Sequence, residues 1–328
     1  MYRPKPISRA TPLWRVALLA VPLLYVLGTD VPAHGQNHII TWGANAQEWN
    51  RQLGVDALRL GCSGAPVECL NGAERLARAQ GIDTVFLSIL LNPARAATDA
   101  GMYSHMSLSH PILNEVGFDD FVSQCQKQKM SFPALSAVLL DFAGQLKSVN
   151  PNLRLGLTLY MDQISSASFP LMNLHQDFRR RVDYIHLYPH YRKEGEPFPV
   201  AVEKVRAMFP NARVIGGVYA YDRRDYLPCA RDSAVGCSNE EELSLFKTTF
   251  RERWVMLMGG KIASIEFYPG SFGLEEAWRG WENPRACRAS RRQECIANTR
   301  AMRQMVREIL PNPSSSMNGV PHYGTRPK

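Results

Sequence analysis

Apolar residues along the chain alternate between short runs and longer amphipathic stretches, which is typical of a parallel α/β fold. The short runs are rich in β-branched and aromatic residues and largely apolar throughout, as strands buried on both faces are. The predicted strands are His38 to Trp42, Asp83 to Leu90, Arg154 to Tyr160, Val182 to Tyr188, Arg213 to Tyr219 and Ile262 to Tyr268, with Val55 to Leu60 a weaker seventh.

The longer stretches between these runs predict helices. One is predicted from Pro133 to Val149 and another from Pro199 to Phe209, each ending before a proline-containing turn. Ser238 and Glu241 form a capping box in front of apolar residues at helical spacing. The last helix is predicted at about Glu294 to Leu310, and residues 311–328 are predicted to be a disordered tail.

No low-complexity linker divides the chain, so a single domain over residues 34–310 is the simplest organisation. Six or seven strands fit either an open doubly wound sheet or a closed barrel of eight in which one strand has been missed. The first strand is not followed by a Gly-rich phosphate loop, which argues against a nucleotide-binding sheet. The length fits the ~250 residues of a typical barrel. We predict a (β/α)8 TIM-barrel-like domain with no cofactor.

The N-terminus has the composition of a signal peptide. Four basic residues precede the apolar run from Val16 to Gly28, and Val31-Pro32-Ala33 supplies small residues at the spacing of a cleavage site. The run is shorter than the ~20 residues of a membrane-spanning helix. We predict cleavage near Ala33, which makes residues 1–33 a signal peptide and the protein periplasmic or secreted; the alternative is an uncleaved N-terminal anchor.

The seven cysteines also indicate an oxidising compartment. Six fall into close pairs that we predict to be disulfides stapling loops: Cys62 with Cys69, Cys229 with Cys237, and Cys287 with Cys295. Zinc sites favour closer pairs with a second pair or histidines nearby, so no metal is expected. Cys125 is left over and is predicted to be buried on a helix face.

The formal net charge of +8 is partly carried by the leader. In the rest of the chain no stripe of basic residues alternates with aromatic ones, so we do not expect nucleic acid as a partner. The composition leaves the oligomeric state open.

Polar and aromatic residues gather just after the predicted strands. In a barrel these positions meet at the C-terminal mouth, where the chemistry of such folds occurs. Aromatic rings can stack on the apolar faces of sugars, while carboxylates bind hydroxyl groups and move protons. We predict a carbohydrate site there, with substrate-binding residues Trp42, Asn45, Asn92, Tyr188, His190, Tyr219, Tyr221 and Tyr268.

This layout resembles the (β/α)8 glycoside hydrolases. Asp162 ends the fourth predicted strand and Glu266 lies near the end of the seventh, which is similar to the placement of acid and nucleophile in the largest clan of these enzymes. The exit Met161-Asp162-Gln163 differs from the Asn-Glu usual in that clan. The resemblance implies hydrolysis of a polysaccharide or oligosaccharide by paired carboxylates, with Glu266 as nucleophile or base, Asp162 as acid and Asp222 as a substitute for either.

Two other functions fit parts of the sequence. Gly117-Phe118-Asp119-Asp120 resembles the paired-Asp motif of metal-dependent polysaccharide deacetylases, and His186 and His190 have the spacing of their metal ligands. Polar Asn114 and Glu115 precede the Asp pair, so Asp119 is interpreted as a helix cap instead. On an extended strand the two histidines would lie ~13 Å apart. A non-catalytic carbohydrate-binding barrel is the other alternative.

The segment from Tyr103 to Asn114 begins with mostly polar residues and follows a predicted strand. We predict a long loop at the barrel mouth whose Ser, His and Tyr side chains line the cleft. A serine nucleophile is not expected, because neither Ser107 nor Ser109 lies in a Gly-x-Ser-x-Gly elbow.

Overall fold

A computed structural model describes residues 38–43, 53–190, 196–220, 238–268 and 292–310. Eight parallel strands close into a barrel in chain order, and the last strand pairs with the first. The strands are β1 His38–Trp42, β2 Ala57–Cys62, β3 Thr84–Ile89, β4 Leu113–Phe118, β5 Arg154–Tyr160, β6 Tyr184–Tyr188, β7 Arg213–Tyr219 and β8 Ser264–Tyr268. The predicted closed α/β barrel with one missed strand is confirmed.

The missed strand is β4. Its sequence carries Asn114, Glu115 and Gly117, which interrupt the apolar run expected of a buried strand. Glu115 is fully buried and bonded inside the barrel, so a polar residue is accommodated where the pattern required an apolar one. The count of strands changes accordingly: Asp162 follows the fifth strand rather than the fourth, and Glu266 lies in the eighth rather than the seventh.

Helices follow most strands and cover the outside of the barrel. Within the described residues they are α1 Pro66–Ala79, α2 Ala96–Ser109, α3 Phe121–Lys127, α4 Phe132–Leu146, α5 Met161–Ile164, α6 Gln176–Arg181, α7 Phe198–Met208, α8 Asn239–Met258 and α9 Arg292–Ile309, with a 3₁₀ turn at Leu171–Asn173. The start of α8 is confirmed, because the Ser238 hydroxyl accepts the backbone N–H of Glu241 at 3.0 Å. None of the described helices is long and apolar enough to cross a membrane.

The segment predicted to be a mouth loop is instead helix α2 and the start of β4. Ser104 and Ser107 are buried, and the Ser104 hydroxyl accepts the backbone N–H groups of Val149 and Asn150 at 3.0 and 3.1 Å. These serines therefore join α2 to the turn after α4 and do not line a cleft. The prediction of a loop was wrong, because buried serines that satisfy a neighbouring turn look like loop residues in sequence, but Tyr103 of this segment does line a cleft at the ends of β2 and β3.

The core has two parts, one outside and one inside the sheet. The outward strand residues pack against the helices in a large apolar cluster that includes Phe118, Phe142 and Phe178. Inside the barrel, a small separate cluster of Ile40, Ala57, Phe86 and Ile215 fills the interior. Interiors of such barrels are filled in layers by alternate strand residues. The next inward-facing residues on β2 and β3 are Arg59 and Ser88, so the interior changes from apolar to polar toward the mouth.

Two glycines make room for a charged side chain in this interior. Gly117 and Gly156 pair with each other on β4 and β5. A Cβ added at Gly117 would lie 2.8 Å from the Glu115 Oε1 atom, and one added at Gly156 would overlap the Glu115 carboxylate. A Cβ added at Gly217 would likewise overlap the ring of Tyr188. The lack of side chains at these glycines leaves the space that the Glu115 carboxylate and the Tyr188 ring occupy.

Of the three predicted disulfides, the structure describes Cys62–Cys69, which joins the end of β2 to α1 across a Cα–Cα distance of 5.6 Å. Cys229, Cys237 and Cys287 lie outside the described residues, as do the predicted leader and the predicted tail. The side chain of Cys295 also lies outside them. Cys125 is buried on α3, as predicted, and burial raises the pKa of its thiol to about 12.

Gly156→Ala is expected to destabilise the fold, because the new methyl group and the Glu115 carboxylate require the same space. We expect the free energy of unfolding to fall by about 3 kcal/mol in urea titrations. Gly72→Ala on α1 is the control, since nothing lies within 4 Å of its added Cβ; there we expect no loss and a gain of up to ~1 kcal/mol. Equal effects of the two substitutions would contradict this packing.

Candidate active site at the barrel mouth

A charge layer of connected polar side chains lies inside the barrel and consists of Arg59, Ser88, Glu115, Thr158, His186 and Glu266. Arg59 is at its centre. It is on β2 and fully buried. Its Nη1 donates to both Glu266 oxygens, at 3.2 and 3.4 Å. Its Nη2 donates to the hydroxyls of Thr158, at 2.5 Å, and Ser88, at 3.3 Å. One guanidinium therefore connects β2 with β3, β5 and β8, and its planar set of donors suits this arrangement.

His186 on β6 lies between two carboxylates. Its Nδ1 is 2.6 Å from Glu266 Oε2, and its Nε2 is 3.0 Å from Glu115 Oε1. Ionised carboxylates only accept hydrogen bonds, so both ring nitrogens must donate. Burial and Arg59 act to lower the pKa of His186, but the carboxylates of Glu115 and Glu266 outweigh them and raise it. The layer thus balances two cations, Arg59 and His186, against two carboxylates.

Glu266 is held ionised by these neighbours. Burial acts to raise the pKa of its carboxyl, but Arg59 and His186 lower it to about 2. The hydroxyl of Tyr188 also donates to it, from the same strand as His186. Glu266 has no exposed surface. It was expected at the mouth in contact with substrate; it is instead fully buried inside the barrel, where Arg59, His186 and Tyr188 donate to it.

Aromatic rings form the next layer toward the mouth. Trp42 packs edge-on against Tyr268 with ring centroids 5.7 Å apart, and Tyr268 contacts Tyr219 at 6.0 Å. Tyr219 in turn contacts Tyr188 at 5.4 Å. Trp42 and Tyr268 are partly exposed, whereas Tyr188 and Tyr219 are buried. The structure therefore brings these four predicted residues together, with Arg59 stacked 4.6 Å from the Trp42 ring centre.

Asp119 lies directly after β4 and is partly exposed. The hydroxyl of Thr158 donates to its carboxylate, and the backbone N–H of Asp120 donates to its Oδ1 at 3.0 Å. Burial raises the pKa of Asp119, and the nearby charge of Asp120 adds to this, while Arg59 opposes it. Asp119 is thus a carboxyl at the mouth that holds its proton more strongly than an ordinary aspartate.

Asp120, next to it, serves a structural role. It has a left-handed backbone conformation with φ of 40° and precedes the first turn of α3. Its Oδ1 accepts the hydroxyl of Tyr160 at 2.8 Å, which connects the end of β4 to the end of β5. A helix cap was expected at Asp119; the residue before α3 is Asp120, and both residues follow strand β4.

Asp162 and His190 form a pair on the next part of the rim. Asp162 is in the first turn of α5, and its Oδ2 lies 3.0 Å from His190 Nδ1. Their side chains are 43% and 42% exposed, so both can reach a bound molecule. The His190 ring packs against Tyr160 at 4.9 Å. Asp162 thus faces solvent after the fifth strand, beside His190.

Asn92 lies apart from the aromatic layer and lines a cleft at the ends of β2 and β3. The remaining predicted residues, Asn45, Tyr221 and Asp222, lie outside the described part of the chain.

The two histidines of the deacetylase alternative serve different parts of the barrel. His186 is bonded to buried carboxylates inside it, and His190 pairs with Asp162 at the rim. In the ranges that the structure describes, no group of three or more His, Cys, Asp or Glu side chains is placed to hold one metal ion.

Sequence reasoning missed Arg59, Glu115, Ser88 and Thr158 as members of the charged layer. The signal was present as single polar residues inside apolar strands. Arg59 in Ala-Leu-Arg-Leu and His186 in Tyr-Ile-His-Leu are isolated polar residues on strands that are otherwise apolar. Since a fully buried Arg or Glu is rare unless paired, such isolated charges on different strands indicate partners inside the barrel.

The arrangement defines a class of protein: a (β/α)8 barrel with an aromatic and acidic mouth above a buried charge layer. No protein-family model matches the chain, and no curated protein matches it. Several solved structures of glycoside hydrolases are similar to it in fold.

One is the Ignisphaera aggregans GH53 catalytic domain, with 13% identity over 73% of this chain and 88% of that chain, at a TM-score of 0.47. A GH18 chitinase from Pseudoalteromonas aurantia has 11% identity over 72% and 97% of the two chains, at 0.44. A chitinase from Bacteroides thetaiotaomicron has 10% identity over 87% and 99%, at 0.49. The similarity is one of chain layout.

Glu266→Gln is expected to destabilise the protein strongly, because Arg59 and His186 would then share one fewer carboxylate in a buried site. We expect a loss of about 3 to 5 kcal/mol in the free energy of unfolding, measured in guanidinium chloride. Glu203→Gln is the control, since the Glu203 side chain is 65% exposed and its pair with Arg206 should contribute less than ~1 kcal/mol. A loss no larger than that of the control would show that the charge layer is not formed.

The same carboxylate predicts a dependence of stability on acid. The pKa of Glu266 is lower in the folded protein than its ordinary value of 4.5. Its stabilising contribution is therefore fully present above that value and is lost as the pH falls toward 2. We expect the free energy of unfolding to decrease more steeply between pH 4.5 and 2 in the native protein than in Glu266→Gln. Parallel curves would contradict the assignment.

Proposed function

We propose that the protein is an exported carbohydrate-active enzyme, a glycoside hydrolase that cleaves a polysaccharide or oligosaccharide at the barrel mouth. The observation that carries the proposal is Asp119: a partly exposed carboxyl with a raised pKa directly after a barrel strand, at the end of the barrel where such folds place their chemistry. The similarity in layout to glycoside hydrolases agrees with this proposal and assigns no residue.

The aromatic layer is the binding surface in this proposal. Trp42 and Tyr268 offer partly exposed ring surface to the apolar face of a sugar. Tyr188 and Tyr219 support them from below, and Arg59 holds the Trp42 ring from inside the barrel. A ring fixed by such contacts loses little freedom when it binds, which favours affinity.

Asp119 acts as the general acid. Hydrolysis of a glycosidic bond requires a protonated carboxyl that donates its proton to the leaving oxygen as the bond to carbon breaks. A raised pKa keeps a fraction of Asp119 protonated at pH values where an ordinary aspartate is ionised. Thr158, which is itself bonded to Arg59, positions the Asp119 carboxyl by donating to it.

Asp162 acts as the second carboxylate, as a nucleophile or as the base that activates water. Its side chain is exposed, and His190 beside it can donate a hydrogen bond to the ionised form. This exchanges the role expected from the sequence, in which Asp162 was the acid and Glu266 the nucleophile. Glu266 becomes a positioning residue that fixes Arg59 and Tyr188, and Asp222 stays a candidate for either catalytic role.

Export rests on the leader and on the cysteines. A signal peptide ending near Ala33 directs the chain out of the cytosol. The disulfide between Cys62 and Cys69 is of a kind that persists in the periplasm or outside the cell.

The test is hydrolysis of a panel of bacterial and plant polysaccharides by the protein from His34 onward, with and without EDTA. Asp119→Asn should lower kcat by about 100-fold or more, because the proton donor is lost. Asp162→Asn should lower it similarly. Asp141→Asn is the control, since Asp141 is exposed on α4 and remote from the site residues in the fold.

Full activity of Asp119→Asn would refute the assignment of the acid. Release of acetate that EDTA abolishes would favour the deacetylase. Sugar binding without turnover, unchanged by either Asp substitution, would favour the non-catalytic binding barrel.

A further inference from the structure

A polar cleft lies at the ends of β2 and β3, apart from the aromatic layer. It is a cleft of about 350 Å³ between the ends of β2 and β3 and the start of α2. Its lining residues include Cys62, Leu90, Asn92, Arg95, Asp99 and Gln128. Its volume is at the lower end of the ~300–1,000 Å³ range of small-molecule sites, which suits one or two sugar residues.

The cleft adjoins Asp119 directly. Ile89, which lines the cleft, accepts the backbone N–H of Asp119 at 3.1 Å. The buried side chain of Gln124 joins the same two regions, because it accepts from the backbone N–H of Leu91 and donates to the carbonyl of Asp119. The cleft is therefore connected through backbone hydrogen bonds to the segment that carries Asp119.

The polar groups of the cleft mix donors with acceptors. Arg95 Nη2 donates to Asp99 Oδ1 at 3.0 Å, so the two charges largely cancel. Asn92 Oδ1 accepts the backbone N–H of Ala94 at 3.2 Å, which leaves its amide N–H groups for a ligand. Gln128 Nε2 donates to the carbonyl of Leu91 at 3.2 Å, which leaves its Oε1 to accept. Such a set matches hydroxyl groups, which both donate and accept, better than it matches an ion.

An apolar surface complements these groups. Leu90, which directly follows β3 and lines the cleft, is 59% exposed. The Cys62–Cys69 disulfide fixes the opposite side, where β2 ends. An exposed aliphatic side chain beside hydroxyl-binding groups is suited to the apolar face of a sugar ring.

We propose that this cleft is a second sugar subsite, which binds a neutral residue of the same glycan chain that is cleaved at Asp119. The inference rests on the proposed function and extends it: the substrate is an oligosaccharide or polysaccharide of neutral sugars, and residues beyond the cleaved bond contribute to binding.

The test is the affinity for four neutral series, the cello-, manno-, galacto- and chito-oligosaccharides of two to six residues, measured by titration calorimetry. With the series that binds, affinity should rise with length in the native protein. Arg95→Ala and Asn92→Ala should each weaken binding of the longer members by about 10-fold and that of the disaccharide by less than 2-fold. Arg78→Ala is the control, because Arg78 forms a similar exposed pair with Glu74 on α1 and does not line the cleft.

The subsite proposal would be overturned if affinity did not rise with oligosaccharide length, or if Arg95→Ala and Asn92→Ala left the affinity unchanged. It would also be overturned if none of the four series bound. Tighter binding of oligogalacturonides than of every neutral series would overturn its neutral character. Trp42→Ala separates the two proposals, since it should weaken all lengths if the mouth binds sugar. If Trp42→Ala weakened binding but Arg95→Ala and Asn92→Ala did not, the proposed function would be supported and the subsite would be refuted.

Discussion

The fully buried guanidinium of Arg59 is the constraint on which the interior of this barrel depends. A cation inside a closed sheet requires carboxylates and hydroxyls in contact with it. Glu266, Thr158 and Ser88 satisfy it from three other strands, and His186 with Glu115 completes the charge balance. The glycines of β4 and β5 follow from the same requirement, since the Glu115 carboxylate occupies the space where their side chains would lie.

This charge layer also determines the properties of the mouth. Stability alone does not require it, because apolar residues of similar volume often stabilise a core equally well. What it supplies is fixed charge and fixed geometry beneath the rim. Arg59 holds the Trp42 ring from below and reaches Asp119 through Thr158, and Glu266 fixes the hydroxyl of Tyr188. The carboxyl proposed as the acid and the rings proposed to bind sugar thus share one buried support.

The sequence predicted the barrel well because seven of its strands are mostly apolar, and it predicted aromatic residues at the strand ends because Trp42, Tyr219 and Tyr268 each end such a strand. It did not predict β4, because Glu115 is buried through partners on β6 that are distant in the chain. Glu266 was misplaced for a related reason. Glu266 lies two residues before the end of β8. A buried carboxylate at such a position has the same sequence context as an exposed one at the strand end, and only its partners on other strands distinguish the two.

The most direct test of this account is a crystal structure of the Asp119→Asn variant with a bound neutral oligosaccharide. The account predicts a sugar ring against Trp42 and Tyr268, with the side chain at position 119 within about 3.2 Å of a glycosidic oxygen. A sugar bound away from these rings, or a glycosidic oxygen that contacts a different carboxylate at the mouth, would contradict it.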